Sequence, residues 1–148
     1  MKNWIDLPPV WLALFLCLSW VVGRLFPLPL FGDVGAVLGA GLIGAGLLLM
    51  AWAVLEMSRA RTSVIPHREP AALVTTGPFS LSRNPIYLAD AMILAGTILW
   101  WDATVSLLLL PVFMRLISHR FIRPEEERLA RGFGPAWDAW SLRVRRWL

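Results

Sequence analysis

Arg83 stands immediately before Asn84-Pro85. Asparagine can accept a hydrogen bond from the open amides of a first helical turn. Proline suits the first helical position because it has no amide proton to leave unpaired. The triplet therefore predicts a helix opening at Pro85 with a guanidinium at its mouth. Backbone N–H groups at such a mouth favour anions, and arginine pairs bidentately with carboxylate or phosphate. Further on, Pro124 precedes Glu125, Glu126 and Glu127. Acids in a first turn complement the helix dipole. Asp90 interrupts an apolar stretch, and an ionisable group so placed is a functional candidate. Water or Arg115 are its alternative partners. His67 and His119 are the two histidines, and Cys17 is the single cysteine. So small and dispersed a set gives no expectation of a metal site or a disulfide framework.

These residues need a scaffold, and composition says which kind. Of 148 residues, 57% are hydrophobic and 16% charged, against about 45–50% and about 25% in soluble domains. Mean hydropathy is +0.63. Nine tryptophans fit the same picture, because indole favours the lipid–water boundary. The length allows one domain and leaves no room for a separate dinucleotide-binding domain. The net charge of +4 could in principle serve nucleic acid. The arginines, however, flank apolar runs and no nucleic-acid motif accompanies them, so no such partner is expected.

Four apolar runs lie at about 10–25, 34–57, 86–101 and 103–120. A spanning helix needs about 20 apolar residues. The first two runs qualify, and the last two are short and joined tightly at Asp102, as an antiparallel helical hairpin. Cys17 falls inside the first run as a small lipid- or core-facing residue. No small-residue cleavage site follows that run, so it reads as a retained anchor. Gly35, Gly39, Gly41, Gly44 and Gly46 in the second run favour close helix packing. Arg59, Arg61, Arg68 and Arg83 fall in the second connection, and the arginines from 115 to 146 lie at the end of the fourth run and beyond it. Basic residues favour the cytoplasmic side, which places both termini and the 58–84 segment there. The expected architecture is an all-α polytopic membrane domain over 1–148. It has about four transmembrane helices, a cytoplasmic connecting segment and an amphipathic C-terminal helix.

Two segments exceed what spanning requires. Residues 62–87 form a connection too long for a simple helix hairpin, and Pro66, Pro70, Pro78 and Pro85 forbid a continuous helix through it. Residues 123–144 contain a helix expected to stop at Gly132 and Gly134. After it, Trp137, Trp140, Val144 and Trp147 recur at spacings of three and four beside Arg143, Arg145 and Arg146. That stripe suits a helix lying in the membrane interface.

The stretch LVTTGPFSLSRNPIYLAD resembles the first motif of the isoprenylcysteine carboxyl methyltransferase and phospholipid methyltransferase superfamily. Leu73, Val74, Thr75, Gly77, Pro78, Arg83, Asn84, Pro85 and Tyr87 carry the match. The stretch EEERLARGFGPAWDAWSLRV resembles the second motif through Glu125, Glu126, Leu129, Phe133, Gly134, Arg143 and Val144. Phe79, Trp137 and Trp140 stand where the superfamily usually has tyrosine, so rings are kept and hydroxyls lost.

The resemblance implies methyl transfer from S-adenosylmethionine, with 62–87 and 123–144 as the cofactor segments. A site for that donor needs partners for a carboxylate, an amine, ribose hydroxyls and a flat ring. Arg83 with Asn84 and Pro85 suits the anionic group. Glu125 or Glu126 suits the amine or the hydroxyls. Tyr87, Phe133, Trp137 and His67 suit the adenine or the sulfonium. The backbone from Leu73 and Val74 to Gly77 offers peptide groups, with Gly77 allowing close approach. For catalysis, Arg83 would orient an acceptor carboxylate. Glu125, Glu126 or His67 would take the proton of an acceptor amine. The acceptor is expected to be a membrane lipid or another apolar molecule. Two other readings use the same composition. One is an NADPH-binding membrane reductase of the sterol-reductase type, although the chain shows no dinucleotide signature. The other is a non-catalytic membrane scaffold with a degenerate site.

Overall fold

The computed structural model describes residues 7–65, 68 and 70–148, and it has helices and no strands among them. Helix α1 (Pro8–Leu25) begins at the Pro8-Pro9 pair and ends where Pro27 and Pro29 prevent continuation. Helix α2 (Gly32–Arg59) has 28 residues, about 42 Å at the helical rise. That exceeds the roughly 30 Å hydrocarbon core, so one end of α2 reaches beyond it. Helix α3 (Pro85–Trp100) has 16 residues. A 30-residue helical run, Thr104–Phe133, follows. It comprises a 3-10 start (Thr104–Leu108), α4 (Leu109–Ile117), a π segment (Ser118–Ile122) and α5 (Arg123–Phe133). Helix α6 is Pro135–Ser141. Among the described residues, three helices are long and apolar enough to cross a membrane, and α3 is a shorter apolar one. The protein is therefore an all-α polytopic membrane protein.

Pro124 does not separate two helices, as its position in the sequence suggests. The helix runs through it, because the π segment ends just before it. A π turn widens the ladder where the proline ring would otherwise clash and where its missing N–H removes a bond. The stop comes at Gly134 alone, which takes φ +48°, a conformation that glycine adopts without penalty. Gly132 lies inside α5.

The chain forms two compact units. The first comprises residues up to Leu47 with Ala89–Leu116. Here α2 and α3 meet backbone to backbone. A Cβ on Gly39 would strike the Gly96 carbonyl, and a Cβ on Gly96 would strike Gly39 in turn. Water drives no helices together inside lipid, so such close packing supplies the association. Gly41 and Gly44, on the same helix, face open space. Ser106 Oγ donates to the Ser19 carbonyl at 2.8 Å, and Phe15 packs edge-on against Phe113. Asp90 is buried, Arg115 is exposed, and the two form no ion pair.

Asp102 anchors this unit at the turn after α3. Its carboxylate accepts N–H bonds from Leu30, Phe31 and Gly32 at 3.1, 3.0 and 2.9 Å. Those amides open α2, so Asp102 caps a helix seventy residues away in sequence. The backbone bonds from Phe31 and Gly32 hold its carboxyl below the ordinary aspartate value.

The second unit comprises Leu48–Leu88 and Ile117–Leu148. Its core gathers Ala53, Val74, Phe79, Trp137, Trp140 and Val144. Trp140 Nε1 donates to the Phe79 carbonyl at 3.0 Å, which ties α6 to the 3-10 turn Gly77–Ser80. The C-terminal amphipathic helix is thus shorter than the stripe 137–147 suggested. Its aromatic face turns into protein and not into the membrane interface, because the bulky core of this unit is built from it.

The Asp102 cap makes a prediction. Asp102→Asn should lower the thermal midpoint of the detergent-purified protein at neutral pH. A depressed carboxyl stabilises the fold above the unfolded value, near about 3.9, and loses that effect as pH falls through the folded value. The gap between wild type and variant should therefore narrow as pH falls through the folded carboxyl's lowered value, read by circular dichroism melts. A gap that persists unchanged would contradict the cap.

Candidate functional site

The start of α3 is built by three residues. Asn84 accepts the first helical bond, from the Leu88 N–H, and its side-chain amide donates to the Arg146 carbonyl at 3.1 Å. The side chain therefore fastens the helix mouth to the 144–146 segment. Pro85, at the first helical position, is fully buried. Arg83 N–H donates to the Arg145 carbonyl at 2.9 Å. These bonds fix the root of the Arg83 side chain.

The guanidinium of Arg83 approaches Glu126 at 3.4 Å and lies 5.8 Å from the Trp137 ring centroid. Its Nε is buried and has no hydrogen-bond partner. Glu126, in the first turn of α5, is held from the other side by Arg146. Nη2 of Arg146 sits 2.6 Å from Oε2, and Nε lies 3.2 Å from both oxygens. Hydrogen bonding to Glu126 raises the Arg146 pKa above the ordinary arginine value. Two guanidiniums thus share one carboxylate, and the trio keeps a net positive charge. Glu125, the neighbour of Glu126, accepts from Tyr87 Oη at 3.1 Å. Tyr87 itself is stacked on Phe121.

A cleft in this unit opens beside Arg83. Polar groups come from Arg68, Arg83, Asn84, Glu125 and Arg128, with Thr62 and Ser63 at the connecting segment. Leu73, Val74, Phe79, Leu129 and Trp140 supply an apolar wall. Its lining suits a molecule that is anionic at one end and flat and apolar at the other.

Of the residues singled out from sequence, Leu73, Val74, Arg83, Asn84 and Glu125 line the cleft. Glu126, Pro85, Tyr87 and Trp137 stand behind them as buried supports. Phe133 packs against the aromatic core. Gly77 takes φ +58° away from the cleft, and a Cβ there would meet the Trp52 indole and the Glu56 carboxylate. Its need is close approach to α2, where Thr76 Oγ1 donates to Glu56 at 2.5 Å. His67 lies outside the described residues. No cluster able to hold a metal occurs among those described.

Sequence reasoning missed Arg146, Arg128 and Arg68. No local pattern marks Arg146, since its partner is twenty residues distant and its neighbours Arg143 and Arg145 suggest a basic surface stripe.

Comparison with known proteins adds to this geometry. The family described as Phospholipid methyltransferase matches residues 34–136. The nickel-cobalt-cadmium resistance protein NccN of Alcaligenes xylosoxydans xylosoxydans is 27% identical over 111 residues. That alignment covers 74% of this chain and 48% of NccN, so the chain spans about half the length of that relative. No solved structure matches this chain.

The shared carboxylate sets a stability contrast. Glu126→Ala leaves two guanidiniums facing each other without a counter-charge, and should cost roughly 2–3 kcal/mol. Glu127→Gln, at an exposed neighbour, should stay within about 0.5 kcal/mol of wild type. Denaturant titrations of both variants check this. Equal effects would contradict the reading of Glu126 as the central counter-charge.

Proposed function

This chain belongs to the phospholipid methyltransferase family, and we propose that it moves a methyl group from S-adenosylmethionine to a lipid or other apolar acceptor at the membrane surface. The observation that carries the proposal is the buried, unpartnered Nε of Arg83 in the wall of a cleft whose polar end is net positive. A buried donor without a partner costs free energy, and a ligand carboxylate removes that cost. The donor has one at its aminoacyl end. Arg128 adds a second cation, Glu125 suits the ammonium or the ribose hydroxyls, and the Leu73, Val74, Phe79 and Trp140 wall suits the adenine. Each chemical part of that ligand thus has a residue type suited to it in the cleft. When bound, S-adenosylmethionine supplies a methyl group made electrophilic by its sulfonium.

The remaining residues hold these in place. Glu126 is engaged on both oxygens by Arg146 and Arg83, which leaves Glu125 as the carboxylate on the cleft. If the acceptor is an amine, Glu125 takes its proton, with Tyr87 orienting the carboxylate. If it is a carboxylate, Arg83 or Arg128 orients it, and alignment supplies much of the rate. Trp137 supports Arg83 by cation–π attraction and is buried away from any ligand. The basic residues of 59–83 and 115–146 favour the cytoplasmic face for this cleft, where a lipid enters from the bilayer with its head group in reach. His67 keeps its candidate role from the sequence alone.

Calorimetric titration of the nanodisc-embedded protein tests the reading. S-adenosylhomocysteine should bind saturably and NADPH should not. Arg83→Ala and Glu125→Gln should each weaken that binding about tenfold or more, as loss of a charged hydrogen bond implies. Binding of NADPH in place of the adenosyl ligand would move the case to a reductase. A folded protein that binds neither would point to a scaffold.

A further inference from the structure

Arg83 and Glu125 line the cleft, and Arg146 stands outside it on the far side of the shared carboxylate. We propose that Arg146 and its segment 144–146 form a strap that holds Glu126 and so positions Arg83 for the adenosyl ligand, and this rests on the cofactor reading given above. Four contacts carry it. The Arg145 carbonyl receives the Arg83 N–H at 2.9 Å. The Arg146 carbonyl receives the Asn84 side-chain amide at 3.1 Å and lies 3.4 Å from Ser82 Oγ. The Arg146 guanidinium engages both oxygens of Glu126. Val144, buried in the core, anchors the near end.

The strap follows α6, and its Val144 packs in the core of the second unit. It touches the loop that opens α3 and the first turn of α5, the two places from which the cleft takes Arg83 and Glu125. Geometry sorts the roles. Arg146 makes the short contact to Glu126 at 2.6 Å, while Arg83 stands at 3.4 Å. Glu126 is therefore held mainly by Arg146, which leaves the Arg83 guanidinium loosely paired and its buried Nε without a partner. Without Arg146, Arg83 would close on Glu126 and withdraw from the cleft. Arg146 does not line the cleft, so it is a positioning residue and not a catalytic one.

The test is S-adenosylhomocysteine affinity of the whole protein in nanodiscs, with hydrogen exchange as a second readout. Arg146→Ala should weaken binding about tenfold or more, and Arg146→Lys should recover part of the loss, since lysine restores charge without the planar fork. In a Glu126→Gln background Arg146→Ala should cause little further loss, the non-additivity expected of residues acting as a unit. Leu142→Ala, at a side chain 87% exposed on the same stretch, should leave affinity unchanged. Amide exchange at 82–84 should quicken in Arg146→Ala and stay the same in α1. Wild-type affinity in Arg146→Ala, or additive losses with Glu126→Gln, would overturn the strap while the cofactor reading stands. A wild type that binds no adenosyl ligand would instead sink the cofactor reading. Exchange at 82–84 would then still judge the strap, and an unchanged rate would overturn it.

Discussion

One carboxylate shared by two guanidiniums organises the second unit. Glu126 is almost wholly buried, with side-chain exposure of 11%, and an ion so placed survives only with good partners. Arg146 provides two-nitrogen contact and Arg83 a looser one. The three groups come from the first turn of α5, the mouth of α3 and the segment beyond α6. Each of those segments has its own backbone reason for being there. Pro85 begins one helix, Pro124 is tolerated by a π turn, and Gly134 turns the chain so that α6 folds back. The electrostatic triad is where those separate local decisions meet.

The first unit is held by different physics. Its helices have little to gain from expelling water inside a bilayer, so they rely on atomic contact. Gly39 and Gly96 remove side chains where backbones touch, and Ser19 and Ser106 add a buried hydrogen bond. At its polar edge a single aspartate does the capping that the start of α2 cannot do for itself, because Leu30, Phe31 and Gly32 bring no side-chain acceptor. Contact fixes the apolar part of this unit, and charge fixes the edge.

Much of this was legible in the sequence, for local reasons. Apolar runs of the right length marked the helices, and the Asn84-Pro85 pair marked the start of α3 to the residue. Gly134 marked a stop because only its φ is cheap there. What stayed hidden depended on partners distant in sequence. A stripe at spacings of three and four shows that Trp137 and Trp140 share a face. It does not say whether that face meets lipid or protein, and here it meets Phe79 and Val74. Arg146 sits among other arginines that suggest a surface, yet its partner is Glu126. Gly77 matched a motif and so suggested approach to a ligand, whereas the structure sets it against Trp52 and Glu56 of α2. Pro124 looked like a boundary because the π segment that absorbs it has no signature of its own.

The central claim is that the cleft beside Arg83 takes an adenosyl ligand. Hydrogen exchange of the nanodisc-embedded protein with and without S-adenosylhomocysteine tests it most directly. Exchange should slow at 62–65, 73–84 and 125–129, with the amides of α1 unchanged. Protection confined to other segments, or no protection at saturating ligand, would contradict it.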